Sequence, residues 1–195
     1  MSDPKAATKA VTPIGILSYP HLHAPQLPKD GKGKAKYSAT VVFAPGTDLK
    51  VLEAAALAAA EAKWPGKSTE MLKLGQLRSP FRKDALAKGY ADGSVFINIR
   101  TEQQPGIVYS YVGPDGKKPA VMPQEKIREE MYPGANVRAS VSAFGYDSNG
   151  NKGISFALNN LQKVGEGERL DGRAAADDEF TADLSKAPAD ISGLI

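Results

Sequence analysis

Within residues 132–163 the chain interleaves one arginine and two aromatic rings with small side chains. Arg138, Ser140, Ser142, Phe144 and Tyr146 fall at every second position, and Val137, Ala139, Val141 and Ala143 fall between them. A strand with this alternation has one dry face and one face carrying a guanidinium and two flat π-systems. Rings can stack on unpaired nucleobases while cations meet phosphates, so the pattern points to a single-stranded nucleic acid. The mixture recurs in residues 94–100, where Val95, Ile97 and Ile99 oppose Phe96, Asn98 and Arg100. Tyr109 and Tyr111 share one side of a further alternating run, residues 107–112. Period-two alternation separates two faces but does not name the inner one when both carry aromatics, so this list mixes core rings with stacking rings.

Two loops add cations. The first, rich in Pro, Gly and Lys, carries Lys32, Lys34 and Lys36, and reads either as a wet, flexible connection or as a clamp on phosphates. The second, LRSPFRKD, sets Phe81 among Arg78, Arg82 and Lys83. There the ring either anchors the loop in the core or joins the binding surface. Lys152 stands within the turn segment DSNGNKG and completes the phosphate-contacting set with Arg100 and Arg138.

Other chemistries lack their residues. The chain has no cysteine, which removes disulfides, thiolate–zinc sites and thiol nucleophiles. The two histidines, His21 and His23, sit in a Pro-rich loop with no carboxylate cluster to complete a metal set, so no metal or other cofactor is expected. Gly66, Lys67 and Ser68 lack the upstream glycine and preceding strand that a phosphate-cradling loop needs. The acids scatter over turns and the C-terminus, with no Ser-His-Asp arrangement, and a non-enzymatic protein is expected.

The elements that would position these groups are mainly strands. Residues 11–19 read as a first strand ending at Pro20, and residues 37–43 as a second with Tyr37, Ala39, Val41 and Phe43 on one face. After Thr47 or Asp48 as cap, the Ala-rich stretch through Trp64 is a strong helix former with Leu49, Leu52, Ala56, Ala60 and Trp64 as its buried stripe. Short helices are expected at residues 69–74 and 124–131. Asp, Asn and Gly in DSNGNKG turn the strand at residues 137–146 back on a second run, with Ile154, Phe156 and Leu158 on one face, making a β-hairpin.

Charge divides the 195 residues in two. Up to Gly165 there are 22 Lys and Arg against 14 Asp and Glu, and from Glu166 onward 3 against 8. A basic body favours a polyanion, and an acidic tail favours something cationic. The expected organisation is a flexible N-terminus over residues 1–10, one binding domain over 11–164, and an acidic flexible tail over 165–195 centred on Asp177, Asp178, Glu179 and Phe180. The longest uncharged apolar run, residues 54–60, is far short of a bilayer span, and a cytoplasmic protein with no membrane partner is expected.

Taken in order, KYSATVVF followed by TDL and the Ala-rich helix, LRSPFRKD leading into GSVFINIR, the hairpin YPGANVRASVSAFGYDSNGNKGISFALNNLQK, and LDGR with DDEF resemble a family of bacteriophage single-stranded-DNA-binding proteins over most of the chain. The resemblance implies an OB-fold, a small Greek-key barrel with one open face, bearing a packed Ala-rich helix and an acidic C-terminal tail. It also implies sequence-nonspecific binding of single-stranded DNA in phage replication and recombination, in the host cytoplasm, with the tail contacting replication or recombination proteins. Two departures stand out. Phe180 is followed by fifteen residues rather than ending the chain. The longest helix follows the second strand, where an OB-fold usually places it after the third. Two other readings remain open: a β-rich phage structural or assembly protein whose aromatics form a protein interface, and an OB module for RNA.

Overall fold

The computed structural model describes residues 7–28, 31, 33–148 and 150–170. Its strands are β1 (Lys9–Val11), β2 (Gly15–Gln26), β3 (Lys36–Phe43), β4 (Val95–Thr101), β5 (Gly106–Val112), β6 (Pro119–Val121), β7 (Asn136–Ser148) and β8 (Asn151–Gly165). Among the described residues, three α-helices accompany them: α1 (Lys50–Lys63), α2 (Ser68–Lys73) and α3 (Ile127–Glu130).

The sheet runs β1-β7-β2-β3-β4-β8-β5-β6, and an additional β7–β8 pairing closes it. The closed ring is therefore β2-β3-β4-β8-β7, with β4 and β8 parallel and its other neighbours antiparallel. That is the five-stranded Greek-key barrel of the OB-fold. Insertion of α1 between the second and third barrel strands leaves the strand order intact. The helix packs on β7, β1 and β8, where its small face, Leu52, Ala55, Ala56, Ala59 and Ala60, is buried. Neither Thr47 nor Asp48 is the N-cap: that position is Leu49, and Asp48 just before it accepts the Lys50 N–H at 3.0 Å. Gly145 of β7 permits the close approach, because a Cβ there would lie 2.7 Å from the Lys63 Cβ and 3.0 Å from the Trp64 ring.

Inside the barrel, Leu17, Val41, Phe43, Ile97, Ile99 and Phe156 are fully enclosed, as are Val137, Ala139 and Val141. The alternation in β7 thus resolves with the aliphatic set inward, and Phe144 and Tyr146 outward.

Four expectations change. The single strand over 11–19 is two: Pro13 has no N–H to give, and the run breaks between β1, which pairs with residues 140–142 of β7, and β2, which pairs with residues 136–137. The strand does not end at Pro20 but continues to Gln26, with an irregularity in its pairing with β3 between Ser18 and His21. Structure begins before residue 11, since the Ala143 N–H donates to the Thr8 carbonyl and Ala10 is buried. It also extends past residue 164. Tyr132 donates to the Glu166 carboxylate at 2.7 Å and accepts from the Gly167 N–H, and the Leu170 N–H donates to the Pro133 carbonyl. Asp177, Asp178, Glu179 and Phe180 lie outside the described residues, as does Lys32. The short strand β6 escaped the sequence reading altogether.

Candidate nucleic-acid interface

Register places one outward row across the sheet. Lys9 of β1 pairs with Ser142 of β7, Ser142 with Ala157 of β8, Ala157 with Arg100 of β4, Arg100 with Ser38 of β3, and Ser38 with His21 of β2. The row is small or polar with cations at two stations, and Thr40 beside it donates to Asn98 at 2.8 Å. A surface of this kind leaves room for a ligand against the backbone and supplies charge without a blocking aliphatic ridge.

Two depressions of about 540 Å³ each lie along it. In the first, β3 and β4 form the floor with Ser38, Thr40, Asn98 and Arg100. Tyr19, His21 and Lys36 stand on one side, Arg82, Lys88 and Tyr90 on the other. The second is lined by Phe144, Tyr146, Ser155 and Ala157 together with Lys36, Arg100 and Glu102. Lys36 and Arg100 belong to both, so the two are one path crossing β2, β3, β4, β8 and β7. At the strand spacing of a sheet that crossing is about 19 Å.

Electrostatics along the path are not uniformly positive. Lys34 and Lys36 approach Glu102 at 3.0 and 3.6 Å, and Arg82 approaches Asp84 at 3.5 Å. The hydrogen bond and charge of Lys34 hold the Glu102 carboxyl below its ordinary value. Tyr90 donates to the Ser18 hydroxyl at 2.9 Å, and burial pushes its phenol up despite that bond.

The residues expected from sequence divide into those brought together and those kept apart. Lys36, Arg82, Arg100, Phe144 and Tyr146 line the path, and Phe144 is 45% exposed. Lys34 joins them through Glu102. Arg78 and Lys152 border it at the hairpin end: the Arg78 N–H donates to the Lys152 carbonyl at 3.0 Å, and Lys152 sits 3.7 Å from Asp147. Phe81 is partly buried and meets Phe156 edge-on at 5.9 Å, which makes it the anchor of its loop. Phe96 is 4% exposed and packs edge-on against Tyr90 at 5.4 Å, so it belongs to the floor and presents no open ring for stacking. Its backbone pairs with Arg82 in both directions, which is what carries Arg82 to the rim.

Tyr109 and Tyr111 stack on each other at 4.8 Å on the side of β5 that carries buried Ile107. Ile107 pairs with Leu161 and Tyr109 with Lys163, both buried inward positions of β8, so the tyrosine pair lies on the opposite face from the path. Arg138 is exposed and outward, but its Nε donates to the Thr12 carbonyl at 3.2 Å, and it is about 13 Å along β7 from Ser142.

Sequence reasoning missed Tyr19, Tyr90, Lys88, Ser38 and Thr40. Tyr19 had one visible signal, the proline after it. Pro20 cannot donate to the β-ladder, and an irregular pairing at such a site can re-aim a neighbouring side chain. Tyr19 adopts φ 45°, and 61% of the residue is exposed. Among the described residues, no group of three or more His, Asp or Glu gathers as metal ligands would.

Known proteins share this architecture. The Enc34 bacteriophage single-stranded-DNA-binding protein, solved in complex with single-stranded DNA, superposes with a TM-score of 0.66 at 20% identity, covering 85% of this chain and 90% of that one. The single-stranded-DNA-binding protein gp2.5 of bacteriophage T7 superposes with a TM-score of 0.55 at 13% identity, over 86% and 97% of the two chains. In sequence, the putative protein p50 of Acyrthosiphon pisum secondary endosymbiont phage 1 is 28% identical over 183 residues, 88% of this chain and 91% of the relative. The family model described as Enterobacter phage Enc34, ssDNA-binding protein, matches residues 8–191. With that match running through both strands of the hairpin, the lysine-rich loop and the ordered C-terminal segment, the chain belongs to the Enc34 ssDNA-binding protein family.

Proposed function

We propose that this protein binds single-stranded DNA with little sequence preference during phage DNA replication and recombination. The strand lies across the outward face of β2, β3, β4, β8 and β7, and no chemical step follows. One observation carries the reading: Lys36 and Arg100 belong to two adjoining depressions, the second of which also holds the exposed ring of Phe144 and the half-buried ring of Tyr146. Cations at the junction meet the backbone while the rings receive bases, and each stacked base contributes about 1 to 3 kcal/mol. Every base has a π-face, so sequence tolerance follows. Paired bases hide those faces, so duplex does not compete.

The acidic tail has two roles in this proposal: at low salt it competes for the cations of the path, and it docks replication or recombination proteins. The described residues end at Leu170, whose N–H is held by the Pro133 carbonyl. The site of action is the host cytoplasm, and no described helix is long and apolar enough to cross a membrane.

Fluorescence anisotropy with oligo-dT, oligo-rU and a duplex of equal length, over a range of salt, tests the reading. The expected result is preference for oligo-dT over duplex, with affinity falling linearly on a log–log plot against salt. Equal affinity for duplex, or no response to salt, rejects it. Preference for oligo-rU would move the assignment to RNA.

A further inference from the structure

A third depression, of about 350 Å³, opens on the far side of Tyr19 from the barrel path. Tyr19 and His21 line both, so the two are separated only by this ridge of β2. Beyond it lie His23, Arg128 of α3 and Arg169 of the C-terminal segment, with Tyr132 beneath. The Arg169 guanidinium rests 4.4 Å over the Tyr132 ring, which fixes one cation at the edge of the depression.

The ridge itself is unusual. A bulky non-glycine residue at positive φ costs free energy, and such residues persist where the surroundings enforce them, often at ligand clamps. Tyr19 is the one described non-glycine residue with positive φ, at 45°, and it sits where Pro20 breaks the regular pairing of β2 with β3. Strain there does not serve to bury the side chain, since 61% of the residue is exposed. What it achieves is a ring standing between two depressions, each lined by arginine.

Resting on the DNA-binding reading above, we propose that the bound strand does not end at β2. It passes over Tyr19, which stacks one base, and its next phosphates enter the third depression against Arg128 and Arg169. The binding site is thereby longer than the barrel face alone. The occupant is the same polyanion, because the depression is continuous with the path through Tyr19 and His21 and repeats its pairing of ring with guanidinium.

The test is affinity against oligo-dT length, measured on the full chain as wild type, Tyr19→Gly, Tyr19→Trp and Arg128→Ala. Glycine suits the positive φ and removes only the ring, and Arg128 is exposed, so these variants keep the fold. The expected result is that Arg128→Ala equals wild type on oligonucleotides just long enough for the barrel path and falls about tenfold below it on longer ones, while Tyr19→Gly, whose ring also lines the first depression, is weaker at every length and loses about a further tenfold on the longer ones. Tyr19→Trp should retain the gain with length. Variants indistinguishable from wild type at every length, or weakened equally at every length, overturn the extension while leaving the barrel site standing. A loss that vanishes when residues 171–195 are also deleted would assign the third depression to the acidic tail and likewise overturn it. Failure of wild type to bind any length overturns the DNA-binding reading itself.

Discussion

The Nζ of Lys34 lies 3.0 Å from the Oε2 of Glu102, a carboxylate that lines the second barrel depression. This carboxylate also faces Lys36 at 3.6 Å, so in the free protein it stands where a phosphate would have to stand. Glu102→Gln keeps the shape and removes the competitor. Oligo-dT affinity at low salt should rise on the order of two- to fivefold, the gain should shrink as salt screens it, and stability should not change. Anisotropy titrations at two salt concentrations check this, and weaker binding by Glu102→Gln would assign the carboxylate a favourable role.

Phe144 and Phe96 are both aromatic members of alternating strands, yet they should respond oppositely. Phe144→Ala removes an exposed ring from the path, and it should weaken oligo-dT by about tenfold to a hundredfold with little change in the urea midpoint. Phe96→Ala opens a cavity under Tyr90 and should cost about 3 to 5 kcal/mol of stability. Urea unfolding and anisotropy on the same two variants separate the roles.

Thr12 joins β1 to the barrel from a fully buried position: its hydroxyl accepts the Ala139 N–H at 2.9 Å. Thr12→Val fills the same space but leaves that donor without an acceptor. A loss of about 1 to 3 kcal/mol is expected, read as a lower urea midpoint with an unchanged m-value.

The C-terminal segment is fastened by charge. Lys163, buried, reaches Glu130 at 2.5 Å and Glu166 at 2.6 Å. Burial of the ammonium works against its charge, but the two carboxylates outweigh that and raise its pKa. The same bond from Lys163, then that from Tyr132, lowers the Glu166 carboxyl below its ordinary 4.5. A lowered acid stabilises the folded arrangement above its unfolded pKa, and that contribution is lost as pH falls through the folded one. The raised lysine contributes below its unfolded pKa of 10.5 and loses that contribution as pH rises through the folded one. Amide shifts of residues 166–170 should therefore hold steady across the neutral range and move together in acid below about pH 4.5. Glu166→Gln should abolish the acid transition. Persistence of that transition in the variant would trace it to another group.

Much of the architecture was readable because strict alternation has one physical meaning. Val137, Ala139, Val141 and Ala143 could only be the inner face of β7, and the hairpin turn announced itself in Asp, Asn and Gly. The site was half readable for the same reason. Phe96 and Phe144 both sit opposite an aliphatic set, and local sequence cannot say that a distant segment ending in Tyr90 folds over one and leaves the other open. Tyr109 and Tyr111 misled for a different reason. They stand on the inward side of a strand that runs past the barrel, so one ring stays partly open without facing the path. Tyr19 was hidden because a proline reads as a strand end, whereas here pairing resumes beyond it.

Parallel pairing of β4 with β8 has a consequence for how the molecule is made. The seam lies between segments separated by more than fifty residues, and β2 also waits for β7. During translation, the first two-thirds of the chain must therefore present unpaired strand edges until the final hairpin emerges from the ribosome. Such edges invite pairing with other nascent chains, and closure over so long a loop is slow. Assembly of this barrel is governed by its last strands, and synthesis halted before them yields a sticky intermediate rather than a smaller working protein.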